Sequence, residues 1–238
     1  MEVEFEIEVN NLLDFLQKIK SDEYNLLMDN VGWSVSTTEH TQVLYQNVLL
    51  DRGAFVKYPE LEKEVEVSID KHQKFLRFVK RFKGKVHLLV GEKYLVISSP
   101  GSEAHMMLAA KGVIPQGERP KKVKFDTFLK LKVGVFQDAI GDADLLETDI
   151  FHLQTKNGKF SITTKSNIDK CIREQAGEYP DASAKYGEYI KDIFGTLVGE
   201  VSIAFKTDEP IMIKHDSKYC KTTYILAPFV PPEEEVKK

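Results

Sequence analysis

Two stretches far apart in the chain, Ala104-His105-Met106-Met107-Leu108-Ala109-Ala110 and Thr222-Thr223-Tyr224-Ile225-Leu226-Ala227-Pro228, follow one apolar pattern and carry a Leu-Ala step at the same place. Upstream, Val86-His87-Leu88-Leu89-Val90 parallels Val201-Ser202-Ile203-Ala204-Phe205, and each is followed by a turn and a second strand, Tyr94 to Ser98 and Pro210 to Lys214. A helical pattern precedes each pair, Lys71 to Phe82 and Ala184 to Leu197. Earlier still, Trp33-Ser34-Val35-Ser36-Thr37 matches Phe160-Ser161-Ile162-Thr163-Thr164, each behind a further helix, Asn11 to Lys20 and Phe128 to Ile140. The order strand, helix, strands, helix, strands therefore runs twice, which makes the chain an internal repeat. Between the copies, Lys111 to Pro120 is rich in Gly and Pro and reads as an extended connector. The expected division is a domain over 1–110, a connector over 111–123 and a domain over 124–238, with a disordered tail over 231–238. Strands outnumber helices, and two helices per domain cover one face of an antiparallel sheet, an α+β layer architecture.

With 238 residues, 42% of them hydrophobic, the chain is long enough to bury a sizeable core in each domain. No window approaches the run of apolar residues that a membrane span needs, and the acidic Met1-Glu2-Val3-Glu4-Phe5-Glu6 lacks the basic start of a signal peptide. A soluble, intracellular protein without a membrane partner is expected. Cys171 and Cys220 form no Cys-x-x-Cys pair and have no histidine at metal spacing, so the prediction is two reduced thiols, no metal and no cofactor.

A net charge of −4 argues at first against nucleic acid. Its distribution reverses that inference. Val3, Phe5, Ile7 and Val9 alternate with Glu2, Glu4, Glu6 and Glu8, a half-buried strand with a carboxylate face, and Glu60 to Val67 is expected to repeat the device. The stretch Lys71 to Lys85 then holds seven basic residues and no acidic one. Its Phe75, Phe78, Val79 and Phe82 fall at helical spacing, with Gly84 as the stop. Lys74, Arg77, Lys80 and Arg81 gather on an arc centred roughly 140° from that apolar stripe. A helix that is merely soluble mixes signs through i, i+4 pairs. An unmixed row repels itself, and a polyanion relieves the repulsion.

The chain as a whole resembles a DNA sliding clamp of the proliferating cell nuclear antigen (PCNA) family, of the archaeal type. The residues that carry the resemblance are Ile140-Gly141-Asp142-Ala143, Ala184-Lys185-Tyr186 leading to Tyr189-Ile190-Lys191-Asp192-Ile193, and the run Tyr224-Ile225-Leu226-Ala227-Pro228. Gly32-Trp33-Ser34-Val35 and Thr41-Gln42-Val43-Leu44-Tyr45 add the strand pair that precedes the family's partner groove. The resemblance implies two similar domains of the DNA-clamp fold, antiparallel sheets outside and helices on the inner face, assembled as a homotrimeric ring around double-stranded DNA. Sequence-independent contact with DNA is then expected from Lys71, Lys74, Arg77, Lys80 and Arg81, with smaller contributions from Lys18, Lys20, Lys130, Lys132, Lys185 and Lys191. The implied partners are a DNA polymerase, a clamp loader and other proteins with clamp-binding motifs. Their peptide groove is expected at Val43, Tyr45, Val113, Ile114, Pro210, Ile225, Ala227 and Pro228. The implied location is the cytoplasm, at the nucleoid, or the nucleus in a eukaryote.

Two departures qualify the resemblance. Asp14 stands where the family tends to carry lysines, which predicts a first helix of little use to DNA, and the short stretch Gln175 to Ser183 predicts a reduced or missing strand beside the subunit edge. The alternatives are a subunit of a mixed ring, a monomeric clamp relative, or a metal-dependent hydrolase built on Asp142 and Asp144, with Glu147 and Asp149 beside them. The nucleotide, metallopeptidase and serine-hydrolase motifs are all missing, so no enzyme is expected.

Overall fold

The computed structural model describes residues 2–118, 120, 123–166 and 168–230. The expected disordered tail and part of the connector lie outside the described residues. The first copy of the repeat runs β1 (Val3–Glu8), α1 (Val9–Lys18), β2 (Tyr24–Met28), β3 (Gly32–Thr38), β4 (Leu44–Asp51), β5 (Phe55–Lys57), β6 (Val65–Ile69), α2 (His72–Val79), β7 (Lys85–Val90), β8 (Tyr94–Ser99) and β9 (Ser102–Met107). The second runs β10 (Thr127–Lys132), α3 (Val133–Leu145), β11 (Phe151–Lys156), β12 (Lys159–Lys165), β13 (Lys170–Ala176), β14 (Ala182–Tyr186), α4 (Tyr189–Phe194), β15 (Glu200–Phe205), β16 (Ile211–Asp216) and β17 (Cys220–Leu226). Every strand pair matched in the sequence occupies equivalent places in the two copies, and the α+β class holds. Short β5, paired with β1 through a register shift, has no counterpart among the described residues of the second copy.

By compactness the chain forms two units, Met1–Pro120 with Lys214–Tyr224, and Lys121–Ile213 with Ile225–Lys238. The first contains the antiparallel sheet β5-β1-β7-β8-β9 and the run β6-β2-β3-β4. The second contains the sheet β13-β12-β11-β14 and the pair β10-β15. One device recurs in both. The N–H of Val9, opening α1, donates to the Gly84 carbonyl at 2.8 Å, and the N–H of Val133, opening α3, donates to the Gly199 carbonyl at 2.9 Å. Both glycines have φ in the left-handed region (+68° and +85°), which L side chains adopt at a cost. Gly84 thus shapes the turn into β7 and does not stop α2, which ends earlier, at Val79.

Each unit has its own aromatic core. In the first, Trp33 lies edge-on to Phe5 at 5.1 Å and tilted against Phe55 at 5.1 Å, with Tyr58 closing over Phe5 at 5.0 Å. In the second, Phe136 of α3 stacks on Phe194 of α4 at 3.7 Å. Such ring pairs add about 1 kcal/mol each to the area they bury.

Three expectations change. The acidic strand begins only at Val65, because the Asn30 side chain both donates to the Leu61 carbonyl and accepts from its N–H, which takes that backbone away from any ladder. The segment from Phe128 read as helix starts as β10, with Thr127, Leu129 and Leu131 buried and Phe128, Lys130 and Lys132 exposed; α3 follows it. The strand expected to be reduced or missing is present as β14, paired with β11 over five residues. It takes up Ala184 to Tyr186, which the sequence assigned to the last helix.

Candidate functional site

The basic helix α2 starts without a cap of its own, since Lys71 has no acceptor to offer. Asp22 supplies what is missing: its carbonyl accepts from the His72 N–H at 3.0 Å and its carboxylate from the Gln73 N–H at 3.3 Å. His72, Phe75, Leu76 and Val79 are buried beneath the helix. His72 Nδ1 meets the Tyr24 hydroxyl at 3.1 Å, and burial pushes the imidazole down to about 4, against an opposing pull from Asp22. The helix therefore sits on a neutral histidine at neutral pH. Beyond Val79 the N–H groups of Arg81 and Phe82 bond back three residues, to Phe78 and Val79, so the last basic side chains follow a tight turn.

Lys71, Lys74, Arg77, Lys80, Arg81 and Lys83 are all exposed. None of them is ion-paired among the described residues; of this run only Lys85 has a carboxylate, Glu6 at 3.8 Å. Lys74 has its ammonium 5.4 Å from the Phe78 ring. Lys83 belongs to the same surface, although the expected site left it out; it sits past the helix, and only its place in an acid-free run marks it in the sequence.

The other expected cations are placed differently. Lys18 is only 1% exposed: its ammonium lies 2.9 Å from both Asp14 Oδ2 and Ser217 Oγ, and its carbonyl accepts the Tyr224 hydroxyl at 2.6 Å. The buried ammonium cannot touch a surface ligand, and the partly exposed Asp14 that stood out in the sequence is its counter-ion. Lys20 is half-buried and donates to the Gln17 carbonyl at 2.7 Å. Lys130 and Lys132 lie on strand β10, where Lys130 is 2.8 Å from Glu200. Lys185 is on strand β14. Lys191, on α4, is held by Asp144 and Asp149, each at 2.7 Å. Five of the expected contacts thus share α2 and its flanks; Lys20 is close enough to act on His72 at the start of that helix, Lys18 is buried, and the other four lie on β10, β14 and α4.

The proposed hydrolase carboxylates are already committed. Arg173 of β13 grips Asp142 through two bonds of 2.6 Å and holds its carboxyl below the usual range, and Lys191 takes Asp144 and Asp149. Among the described residues no cluster of His, Cys, Asp and Glu has metal-site geometry. Buried Cys220 has its thiol pushed up to about 11, chiefly by desolvation, which leaves it unreactive at neutral pH.

The groove residues divide between the units. In the first, Val113 is 68% exposed and Val43 half-buried, while Tyr45 and Ile114 are buried. The Tyr45 hydroxyl meets Ser36 at 3.0 Å, and the Ile114 carbonyl accepts from Asn25 at 3.0 Å, which fixes the connector to the sheet. Gly117 completes this seam, since a Cβ there would stand 2.4 Å from the Thr37 Cα. In the second unit Pro210, Ala227 and Pro228 are half-buried and Ile225 is buried.

No helix of the described residues is long and apolar enough to cross a membrane. No family model matches the sequence, and no curated protein matches it. Solved structures do. PCNA from A. fulgidus, in a complex with the C-terminal region of FEN-1, superposes with a TM-score of 0.84 at 18% identity, covering 97% of this chain and 100% of that one. PCNA from Entamoeba histolytica gives 0.80 at 16% identity over 96% and 98%, and a PCNA2–PCNA3 complex from Sulfolobus tokodaii gives 0.76 at 20% over 96% and 99%. Over 96–97% of its length the chain has the fold of the proliferating cell nuclear antigens.

Proposed function

We propose that the chain is a subunit of a DNA sliding clamp, a ring that encloses duplex DNA and docks replication and repair proteins on it. The observation that carries this is the exposed, acid-free row Lys71, Lys74, Arg77, Lys80, Arg81 and Lys83 on a clamp fold. Long cations on one helical face meet phosphates without reading bases, and such contacts permit sliding. Ring closure needs self-association, and among the strands that end a sheet are β9 in the first unit and β13 in the second, each with a ladder partner on one side only. An open strand edge is a template for pairing with another chain. We assign β9 of one copy to β13 of the next, three copies to the ring. The A. fulgidus protein binds the C-terminal region of FEN-1. Comparable peptides are proposed to dock here beside the connector, where exposed Val113 and half-buried Val43 supply apolar contact.

The test is topological. Protein loaded on closed circular DNA stays bound through gel filtration and is lost when a single cut linearises the circle. Equal retention on both forms would sink the ring reading.

A further inference from the structure

The two copies align residue for residue at their first strands, because the Val9 N–H on the Gly84 carbonyl and the Val133 N–H on the Gly199 carbonyl are equivalent contacts. Counted back from there, Glu8, Glu6 and Glu4 of β1 correspond to Lys132, Lys130 and Phe128 of β10. The charges are exchanged between the copies. In the first, Lys85 of β7 reaches diagonally to Glu6 at 3.8 Å; in the second, Glu200 of β15 reaches diagonally to Lys130 at 2.8 Å. On its other side β1 has β5, whose Lys57 stands in register with Glu6 and lies 3.9 Å from Glu4. Glu4 and Glu6 thus have a lysine each. On β10, Lys130 and Lys132 share Glu200, whose carboxyl is held down first by Lys130 and then by Lys132. No strand takes the place of β5 there among the described residues.

The edge of β10 is also the one left over. The β14 edge receives the Phe229 N–H on its Lys185 carbonyl at 2.7 Å, and the β6 edge receives the Ala109 N–H on its Ser68 carbonyl at 3.0 Å. β9 and β13 are assigned to the ring, and β5 spans only three residues. In an antiparallel ladder every second residue turns its N–H and carbonyl away from its partner. β10 is paired with β15 over six residues without a register shift, so its outer side presents an unbroken row of such groups. Lysines on an edge repel a cationic strand and admit an acidic one. A merely protected edge has no use for Phe128, a large apolar side chain 63% exposed beside them. Phosphate would suit the lysines alone, whereas an extended peptide suits the lysines, the phenylalanine and the backbone row together.

We propose that the outer edge of β10 receives an extended acidic segment of a partner protein, which adds to it as β5 adds to β1 and sets carboxylates beside Lys130 and Lys132. Such pairing needs neither DNA nor a ring, so it goes beyond the clamp reading and stands or falls apart from it.

The probe is a blocked six-residue peptide, Glu-Val-Glu-Val-Val-Thr, with a second in which lysine replaces both glutamates. Hydrogen exchange of the full chain is followed by mass spectrometry. At about 1 mM glutamate peptide the outward amides of segment 127–132 should exchange about tenfold more slowly, the protection that a Kd of about 100 μM gives. Lys130→Glu with Lys132→Glu and Glu200→Lys restores the charge pattern of the first copy and keeps an internal pair. That variant should bind the glutamate peptide at least about tenfold more weakly and gain protection from the lysine peptide. A glutamate peptide N-methylated throughout should protect nothing. Absence of protection by the glutamate peptide overturns the proposal, and so does a variant that fails to exchange its preference. Retained affinity for the N-methylated peptide overturns it too, since charge alone would then hold the peptide. Protection of every β10 amide in the free chain would show that the chain fills its own edge, and likewise overturns it.

Discussion

The two copies of the repeat share strand order and helix placement, yet they spend their lysines in opposite ways. On α2 the cations stand free of carboxylates over a neutral histidine, whereas α3 has no Lys or Arg at all and α4 has one, Lys191, gripped by Asp144 and Asp149. Exposed Asp138 leaves the second unit's helical surface acidic where the first is basic. A repeat can therefore conserve a fold while concentrating one function in a single copy. The packing residues face the sheet and stay alike; the solvent face is free to diverge.

The comparison can be broken first through acid. His72 titrates near 6.5 when unfolded and at about 4 when folded, so the unfolded chain binds the extra proton between those values. Stability is fully present above pH 6.5 and falls as pH drops toward 4, by about 3 kcal/mol in total. In the second unit burial and neighbouring lysines lower His152 in the same direction but less strongly than His72, while Asp142 and Glu200 are depressed by Arg173 and Lys130, contributions that are lost only as pH falls through the ordinary carboxylate range. Denaturant unfolding at pH 7 and pH 4.5 should show the first unit losing stability before the second. His72→Gln should flatten that dependence; an unchanged pH profile would remove the buried neutral histidine from the account.

Charge reversal sharpens the contrast. Arg77→Glu with Lys80→Glu should lower retention on circular DNA by about 100-fold and reduce the salt slope by about 2, while Lys130→Glu with Lys132→Glu should change retention less than about threefold. Similar losses from both pairs would mean that the two units share the DNA. The smallest effect runs the other way: Asp138→Lys, which removes an acid from α3, should raise retention by about threefold at low salt. No gain would show that α3 does not face the nucleic acid.

The strand pairs of the repeat were legible because period-2 alternation and a shared Leu-Ala step are local signals. β10 was misread as helix because Phe128, Leu129 and Leu131 also satisfy a helical spacing, and only the pairing of Leu131 with Val201 decides for a strand. β14 escaped notice because Ala182-Ser183-Ala184 has neither β-branched nor aromatic side chains to announce it. The basic row was plain in the sequence, as was the segregation of charge. The fate of Lys18 was not, since its partner Ser217 lies 199 residues away and no local pattern reports a contact at that range.

That long-range contact constrains how the protein is made. The first unit includes Lys214–Tyr224, and within it Ser217 completes the Lys18–Asp14 pair, the Tyr219 carbonyl takes the Asp51 N–H, and the Tyr224 hydroxyl caps the Lys18 carbonyl. During synthesis the ribosome releases residues in order, so the amino-terminal unit emerges early and must wait for nearly the whole chain before the Ser217 hydroxyl can join its Lys18–Asp14 pair. The carboxy-terminal unit waits as long, since it takes in the chain from Ile225 onward. A nascent chain arrested before Ser217 holds an unfinished first unit, with a buried lysine short of one partner.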